Sequence, residues 1–188
     1  MGDVKKTYEA DGYGYYDYLP SIFIHHDFVR KDLSYTTDKE DYKRVENFRI
    51  YVEYNDRKVN KYSCGTALMH LPFFAVVALS QDHNGDMTDG YQAVYHKIAL
   101  VAAMFYLFLS LIILRKLLEL YSIKKPNITW IQLFLALWTG VVFYSKYGSG
   151  FSHVYSLFAV TAFIYVVKKY FVDFKAKYFV WAAVFLGL

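Results

Sequence analysis

Residues 98–114 read IALVAAMFYLFLSLIIL, a run of 17 residues without a charged side chain. As a helix, such a run comes close to crossing a hydrocarbon core about 30 Å thick. Residues 128–144 and 151–167 are apolar runs of the same length, and residues 178–188 begin another. One such run also fits a buried helix of a soluble protein. Several in series, joined by short loops, favour membrane spans.

The charged residues are distributed unevenly between the two ends of the chain. Residues 1–65 carry 12 acidic and 11 basic side chains, whereas residues 66–188 carry five acidic and ten basic ones. The high apolar content excludes a disordered chain, and the single cysteine, Cys64, excludes an internal disulfide. Neither a basic stripe nor a nucleic-acid-binding motif accompanies the net charge of +4, so we expect no nucleic-acid partner.

The basic residues of the apolar part predict how the spans are oriented. Four of them lie in residues 115–125 and four more in residues 168–177, but residues 145–150 carry only Lys146. Cytoplasmic loops of membrane proteins are enriched in lysine and arginine. The two basic connections are therefore predicted to be cytoplasmic and residues 145–150 external, with the lipid bilayer as the partner of the intervening helices.

The polar part is predicted to be an external region, residues 1–93. Residues 66–79 are apolar but short and contain Pro72, which favours an interfacial or re-entrant helix over a span. Residues 13–28 predict a second interfacial segment, with tyrosine rings at headgroup level and a helix near residues 18–28 that has Pro20 in its first turn. Alternation from Phe48 to Tyr54 predicts a strand that Asn55-Asp56 turns into a small hairpin.

The fold class predicted from these patterns is an all-α polytopic membrane protein. Its transmembrane helices are expected near residues 94–116, 127–144 and 151–168, with a truncated one from residue 178. An external region of 93 residues needs a preceding span to deliver it, and residues 1–16 have no apolar segment of that kind. We therefore expect the chain to be a fragment of a larger membrane protein.

Asp11 is the strongest candidate for chemistry. It lies in ADGYGYYDYLP, where glycines and aromatic rings surround one carboxylate. At an external membrane face, such a carboxylate can accept a proton from a hydroxyl as a general base, and the tyrosines can offer flat faces to a sugar ring. The alternative is a solvated aspartate beside tyrosines of the membrane interface.

Four basic side chains are candidates for binding an anionic substrate group: Lys61, His96, Lys97 and His153. Lys61 stands where the polar part becomes apolar, and a lysine there can contact a phosphate or simply extend to the interface. His96 and Lys97 lie at the start of the first span. There they can contact a phosphate or simply anchor the end of the helix at the interface. His153 begins the third span and is predicted to face an external cavity that it shares with Asp11, Lys61 and the His96-Lys97 pair.

No metal site is predicted. Asp82, Asn84 and Asp86 have the spacing of the first calcium ligands of an EF-hand loop, but Met87 and Ala93 occupy its glycine and glutamate positions. His25 and His26 are adjacent and would point apart on a helix.

Four segments together resemble a known family. They are ADGYGYYDYLPSIF, KYSCGTALMHLPFF, DGYQAVYHKIAL and FYSKYGSGFSHVYSLF, in this order. The chain resembles membrane glycosyltransferases of the GT-C fold, in particular bacterial relatives of the dolichyl-phosphate-mannose-protein mannosyltransferases. The resemblance covers most of the chain and rests on short motifs. Residues 144–150 lack the second acidic residue that the family often carries between later spans.

The resemblance implies a function and a site. Asp11 would be the catalytic base, Lys61-Tyr62 would match a basic element that precedes a juxtamembrane helix, and the donor would be a polyprenyl-phosphate-linked sugar. The sugar, the acceptor and the cofactor stay open, a divalent metal included. The location implied is the bacterial inner membrane, with residues 1–93 outside. The alternative from the residues alone is a non-catalytic polytopic protein, such as part of a transporter or a scaffold subunit.

Overall fold

The computed structural model describes residues 11–27, 50–55, 57–82 and 89–188. These residues are mostly helical. The helices are α1 (Asp11–Tyr16), α2 (Tyr18–Phe23), α3 (Gly65–Asp82), α4 (Ala93–Leu120), α5 (Lys125–Trp138), α6 (Val141–Tyr147), α7 (His153–Asp173) and α8 (Ala176–Gly187). Phe28, Phe48, Asn84, Asp86 and Asp56, which entered the predictions above, lie outside the described residues.

A β-hairpin lies between α2 and α3 in the order of the sequence. Strands β1 (Tyr51–Tyr54) and β2 (Arg57–Asn60) pair antiparallel, with Val52 opposite Val59. Asn55 has a φ of +50°, the left-handed conformation that tight hairpin turns require and asparagine tolerates. The described residues therefore contain the small hairpin that the sequence predicts.

The chain divides into two compact units. Unit 1 comprises the described residues up to Ala102 together with residues 147–152, and unit 2 comprises residues 103–146 and 153–188. Helix α4 begins in unit 1 and continues into unit 2.

Tyrosine dominates the core of unit 1. Tyr13 stacks on Tyr91 with ring centroids 5.2 Å apart, and Tyr16 meets Phe74 edge to face. Tyr95, in the first turn of α4, is fully buried, and the centroid of its ring lies 5.2 Å from that of Phe74. Aromatic pairs in these arrangements add to the free energy of simple apolar burial.

Among the described residues, two helices are long and apolar enough to cross a membrane: α7 of unit 2, and α4, which runs from unit 1 into unit 2. The region predicted as one span near 127–144 differs, because α5 and α6 are separate helices that meet at an angle of 49°. Gly140, between them, has a φ of +73°, which a helix cannot accommodate. The two helices form either a broken span or a re-entrant loop, so the span predicted near 127–144 is interrupted at Gly140. α8, with 12 residues, is shorter than a span.

Two further expectations are corrected in unit 1. The tyrosines near the start of the described chain are not all at the surface, because Tyr13 and Tyr16 are buried in the core. Helix α2 ends at Phe23 rather than near residue 28, and its C-terminal turn is closed by the backbone N–H groups of Ile24 and His25, which donate to the carbonyl of Pro20. Pro20 itself lies in the first turn, as predicted, where its missing N–H has no helical partner to lose.

Candidate functional site

Asp11 begins helix α1 and its side chain is exposed. The hydroxyl of Tyr62 donates a hydrogen bond of 2.5 Å to its Oδ1 atom. Among the residues that the structure describes, the Oδ2 atom of Asp11 has no hydrogen-bond partner. One carboxylate oxygen is thus oriented by the protein, and no described residue bonds to the other.

Tyr62 remains a hydrogen-bond donor over a wide pH range. Burial, and then the hydrogen bond and negative charge of Asp11, raise the pKa of its hydroxyl well above the usual value of 10. Since the phenolate would be repelled by the carboxylate, the proton stays on Tyr62. The pair therefore presents one neutral donor and one carboxylate.

Gly14 makes the contact between the two residues possible. A Cβ atom at this position would lie 2.1 Å from Cδ2 of the Tyr62 ring, so any larger residue would displace the ring. Gly12 packs closely against the backbone of Gly150, since a Cβ atom at position 12 would lie 3.2 Å from the carbonyl carbon of Gly150. The two glycines flanking Tyr13 let another segment of unit 1 approach each side of α1.

Asn60, at the end of β2, fixes the position of Tyr62. Its Nδ2 atom donates to the carbonyl of Gly14 at 2.7 Å, and its Oδ1 atom accepts from the backbone N–H of Tyr62 at 3.0 Å. The hydroxyl of Tyr18 donates to the carbonyl of Tyr62 at 2.6 Å. Tyr62 is therefore held through its backbone on both sides as well as through its hydroxyl.

Lys61 lies beside this pair, and its side chain is exposed. Its Nζ atom is 5.1 Å from the centroid of the Tyr62 ring, within cation–π distance. The structure thus brings Lys61 and Asp11 to the same tyrosine, although they are 50 positions apart in the sequence. This arrangement can hold an anionic group next to a carboxylate that accepts a proton.

His96 and Lys97 are in the first turns of α4, and His153 begins α7. His96 is partly buried and Lys97 is exposed, and both belong to unit 1. His153 belongs to unit 2, where its ring lies 4.0 Å from that of Tyr144. That all three share one cavity with Asp11 stays a prediction.

A second carboxylate, which the sequence analysis did not single out, lies inside unit 1. Asp17 is 1% exposed and accepts a hydrogen bond of 2.9 Å from the hydroxyl of Tyr91. The hydroxyl of Tyr16 donates to the carbonyl of Gly90 at 2.6 Å, and the ring of His25 bonds to the carbonyl of Asp89. These bonds attach residues 89–91, just before α4, to α1 and α2.

The signals that could have revealed these contacts are weak. Asp17 stands among tyrosines in YYDYLP, which is compatible with burial but does not identify Tyr91, 74 positions away, as its partner. Gly14 indicates a close approach without saying what approaches. Tyr62 follows Lys61 directly, but nothing in the sequence pairs it with Asp11.

His70 is a buried titratable group of unit 1. It lies on α3 with 2% of its surface exposed, and its ring is 6.4 Å from that of Tyr16. Burial lowers the pKa of His70 to about 3, because the charged form would lose its hydration. The imidazole is therefore neutral at ordinary pH.

The described residues contain no group of three or more histidine, cysteine or acidic side chains that could hold a metal ion. Comparisons with protein-family models, with curated proteins and with solved structures give no match to this chain.

Proposed function

We propose that the protein is part of a membrane glycosyltransferase in which Asp11 is the general base. The observation that carries the proposal is the geometry of Asp11, an exposed carboxylate with one oxygen held by Tyr62 and the other not bonded by any described residue. A base must be positioned within hydrogen-bond reach of the proton that it removes. A side chain fixed on one oxygen meets this requirement better than a freely rotating one.

In the proposed reaction, the sugar moves from a polyprenyl-phosphate donor to an acceptor hydroxyl. The Oδ2 atom of Asp11 takes the hydroxyl proton while the acceptor oxygen bonds to the anomeric carbon. The bond from that carbon to the phosphate oxygen breaks, and the lipid phosphate leaves with the electron pair. Negative charge grows on the phosphate as it departs, so a cation such as Lys61 would favour the transition state. His96 and Lys97 are further candidates for this role.

The grouping of residues within unit 1 supports the proposed membrane orientation. Residues 147–152 belong to the same unit as α1, and Gly150 contacts Gly12. The lysine pattern predicts that residues 145–150 and residues 1–93 lie on the same side, which agrees with this contact. We place both on the external face of a bacterial inner membrane, with α4 and α7 crossing the bilayer.

A non-catalytic role, as part of a transporter, is favoured by one observation. The break between α5 and α6 at Gly140 resembles the interrupted helices at which transporters bind their substrates. In that case the exposed carboxylate of Asp11 has no catalytic role, and the open backbone near Gly140 carries the function.

Sugar transfer in membranes that contain the protein in its natural host distinguishes the two proposals. Labelled hexoses on polyprenyl phosphate, each supplied separately, serve as donors, and protein-dependent product is measured. Asp11→Asn should lower the rate by about 100-fold or more, the usual contribution of a general base. Asp27→Asn, another aspartate of unit 1, is the control and should leave the rate unchanged. Wild-type transfer by Asp11→Asn at equal protein level contradicts the proposal.

A further inference from the structure

An apolar cavity of about 340 Å³ lies between the last two helices of unit 2. Helix α7 contributes Phe163, Val167 and Phe171, which recur at helical spacing on one face. Helix α8 contributes Phe179, Ala183 and Leu186 in the same manner. The α7 side alone extends from Phe163 to Phe171, eight steps of the helix or about 12 Å along its axis. The cavity is therefore a slot that runs along the helices.

One end of the slot adjoins the turn between α7 and α8. Tyr170 and Phe179, with ring centroids 6.2 Å apart, mark this end. Tyr178, next to Phe179, has the Nζ atoms of Lys177 and Lys169 at 5.2 and 5.7 Å from its ring. One end of the apolar slot therefore lies next to the lysine side chains Lys169 and Lys177.

The charge at this end is strongly positive. Residues 168–177 of unit 2 carry four basic side chains against one acidic one. The acidic residue, Asp173, already pairs with Lys169 of the same helix at 2.8 Å. Lys175 lies on the turn, Lys177 lies in the first turn of α8, and both side chains are exposed.

We propose that this slot binds one anionic phospholipid, with an acyl chain between α7 and α8 and its phosphate at Lys175 and Lys177. A long apolar slot that ends in cations complements an amphiphile with an alkyl tail and a negative head. Basic side chains at a membrane surface attract anionic lipids, and each buried methylene adds to the affinity. The proposal does not depend on the transferase activity, because the slot is formed by residues of unit 2, whereas Asp11 belongs to unit 1.

A second copy of the chain fits this face less well. Copies inserted in the same orientation would bring identical lysines to the same edge, and the like charges would repel. A lipid of opposite charge removes that repulsion and fills the slot at the same time.

Lipid retention by the purified chain in detergent tests the proposal, with native mass spectrometry as the readout. The probes are phosphatidylglycerol and phosphatidylcholine with identical oleoyl chains. The wild type should retain phosphatidylglycerol at least about tenfold better. Lys175→Gln and Lys177→Gln should each weaken this binding about fivefold, the effect of one lysine near an anionic surface. Lys124→Gln with Lys125→Gln, on the other basic connection, is the matched control and should leave it unchanged.

The slot has a separate test. Ala183→Phe, at an exposed position that lines the cavity, should weaken the retention of both lipids and leave the helix content unchanged. For the wild type, phosphatidylglycerol with progressively shorter acyl chains should bind progressively less, a result that needs no variant to fold. Equal losses for the two lysine pairs would show diffuse attraction and overturn the proposal. So would indifference to chain length, or a wild-type dimer that Ala183→Phe dissociates.

Discussion

Units 1 and 2 are both helical and aromatic, but they use their polar side chains differently. In unit 1, four tyrosine hydroxyls donate to partners 44 to 74 positions away in the sequence. In unit 2, the hydroxyls of Ser110, Thr129, Thr139 and Ser145 donate to carbonyls three or four residues earlier in the same region. Long-range directional bonds thus connect segments of unit 1, whereas these four hydroxyls of unit 2 are satisfied within their own stretch of chain.

This difference fits what each unit is proposed to do. A helix in hydrocarbon has to satisfy its polar groups internally, because no water is available to replace a partner. A site that orients a carboxylate needs bonds from several segments at fixed directions. Unit 2 is consistent with the first requirement and unit 1 with the second.

The largest expected effect that separates the units is the response to acid. His70 binds a proton near pH 6.5 when unfolded but only near pH 3 when buried, so its contribution to stability is complete above about pH 6.5 and is lost as the pH falls toward 3. Unit 1 should lose on the order of 4 kcal/mol between about pH 6.5 and pH 3 through this group. Hydrogen exchange of α3, corrected for intrinsic rates, measures the loss.

Two variants isolate the histidine from other acid-sensitive groups. His70→Leu should flatten the pH dependence of α3, whereas His26→Leu, at an exposed position, should retain it. An α3 whose acid sensitivity is the same in wild type and His70→Leu would show that the buried imidazole is not responsible.

The next effect concerns the buried carboxylate. Tyr91→Phe removes the donor to Asp17 and should destabilise unit 1 by about 1.5–3 kcal/mol, the range for a hydrogen bond to a charged group. Exchange rates in α1 and α2 should rise, and those in α7 should not. Tyr54→Phe, at an exposed tyrosine of the same unit, is the control with no expected change. Equal effects of the two variants would remove the assigned role of the Asp17 bond.

A smaller effect is expected from adding one methyl group beside the site. Gly14→Ala forces the Tyr62 ring away and should cost about 1–3 kcal/mol of overpacking, partly offset by about 1 kcal/mol of improved helix propensity. Gly187→Ala, where nothing lies within 4 Å of the new atom, should be neutral or stabilising. Denaturant unfolding in a mild detergent compares the two. A neutral Gly14→Ala would mean that the ring does not lie over this glycine.

The smallest effect is predicted for unit 2. The Nε2 atom of Gln132 on α5 donates to the carbonyl of Leu111 on α4 at 2.7 Å. Gln132→Leu should cost only about 0.6 kcal/mol, the average for hydrogen bonds between membrane helices. Hydrogen exchange of α5 measures it. A loss as large as that of Tyr91→Phe would erase the contrast between the units.

The sequence predicted the apolar helices well, for a physical reason. The length and hydrophobicity of residues 98–114 are local properties, and α4 contains that run entirely. The break at Gly140 was missed because glycine is common in membrane helices, and only its positive φ ends the helix here. The hairpin followed from alternation and a turn-forming asparagine, which are local signals too.

The site was predictable only in part. The glycine-rich surroundings of Asp11 identified a candidate carboxylate, and Lys61 stood at a recognisable boundary. The bond from Tyr62 to Asp11 joins residues 51 positions apart, and no periodicity encodes such a pairing. The burial of Asp17 has the same explanation, since its partner Tyr91 reaches it only after the segments have folded together.

The ionisation of Tyr62 tests the central claim most directly, because it reports the contact that orients Asp11. Nuclear magnetic resonance of the chain with ¹³C-labelled tyrosine follows it, with the signal identified by its loss in Tyr62→Phe. In the wild type, Tyr62 should stay protonated well above pH 10, and Asp11→Asn should lower its pKa toward the usual value. A Tyr62 that titrates near pH 10 in both proteins would contradict the account.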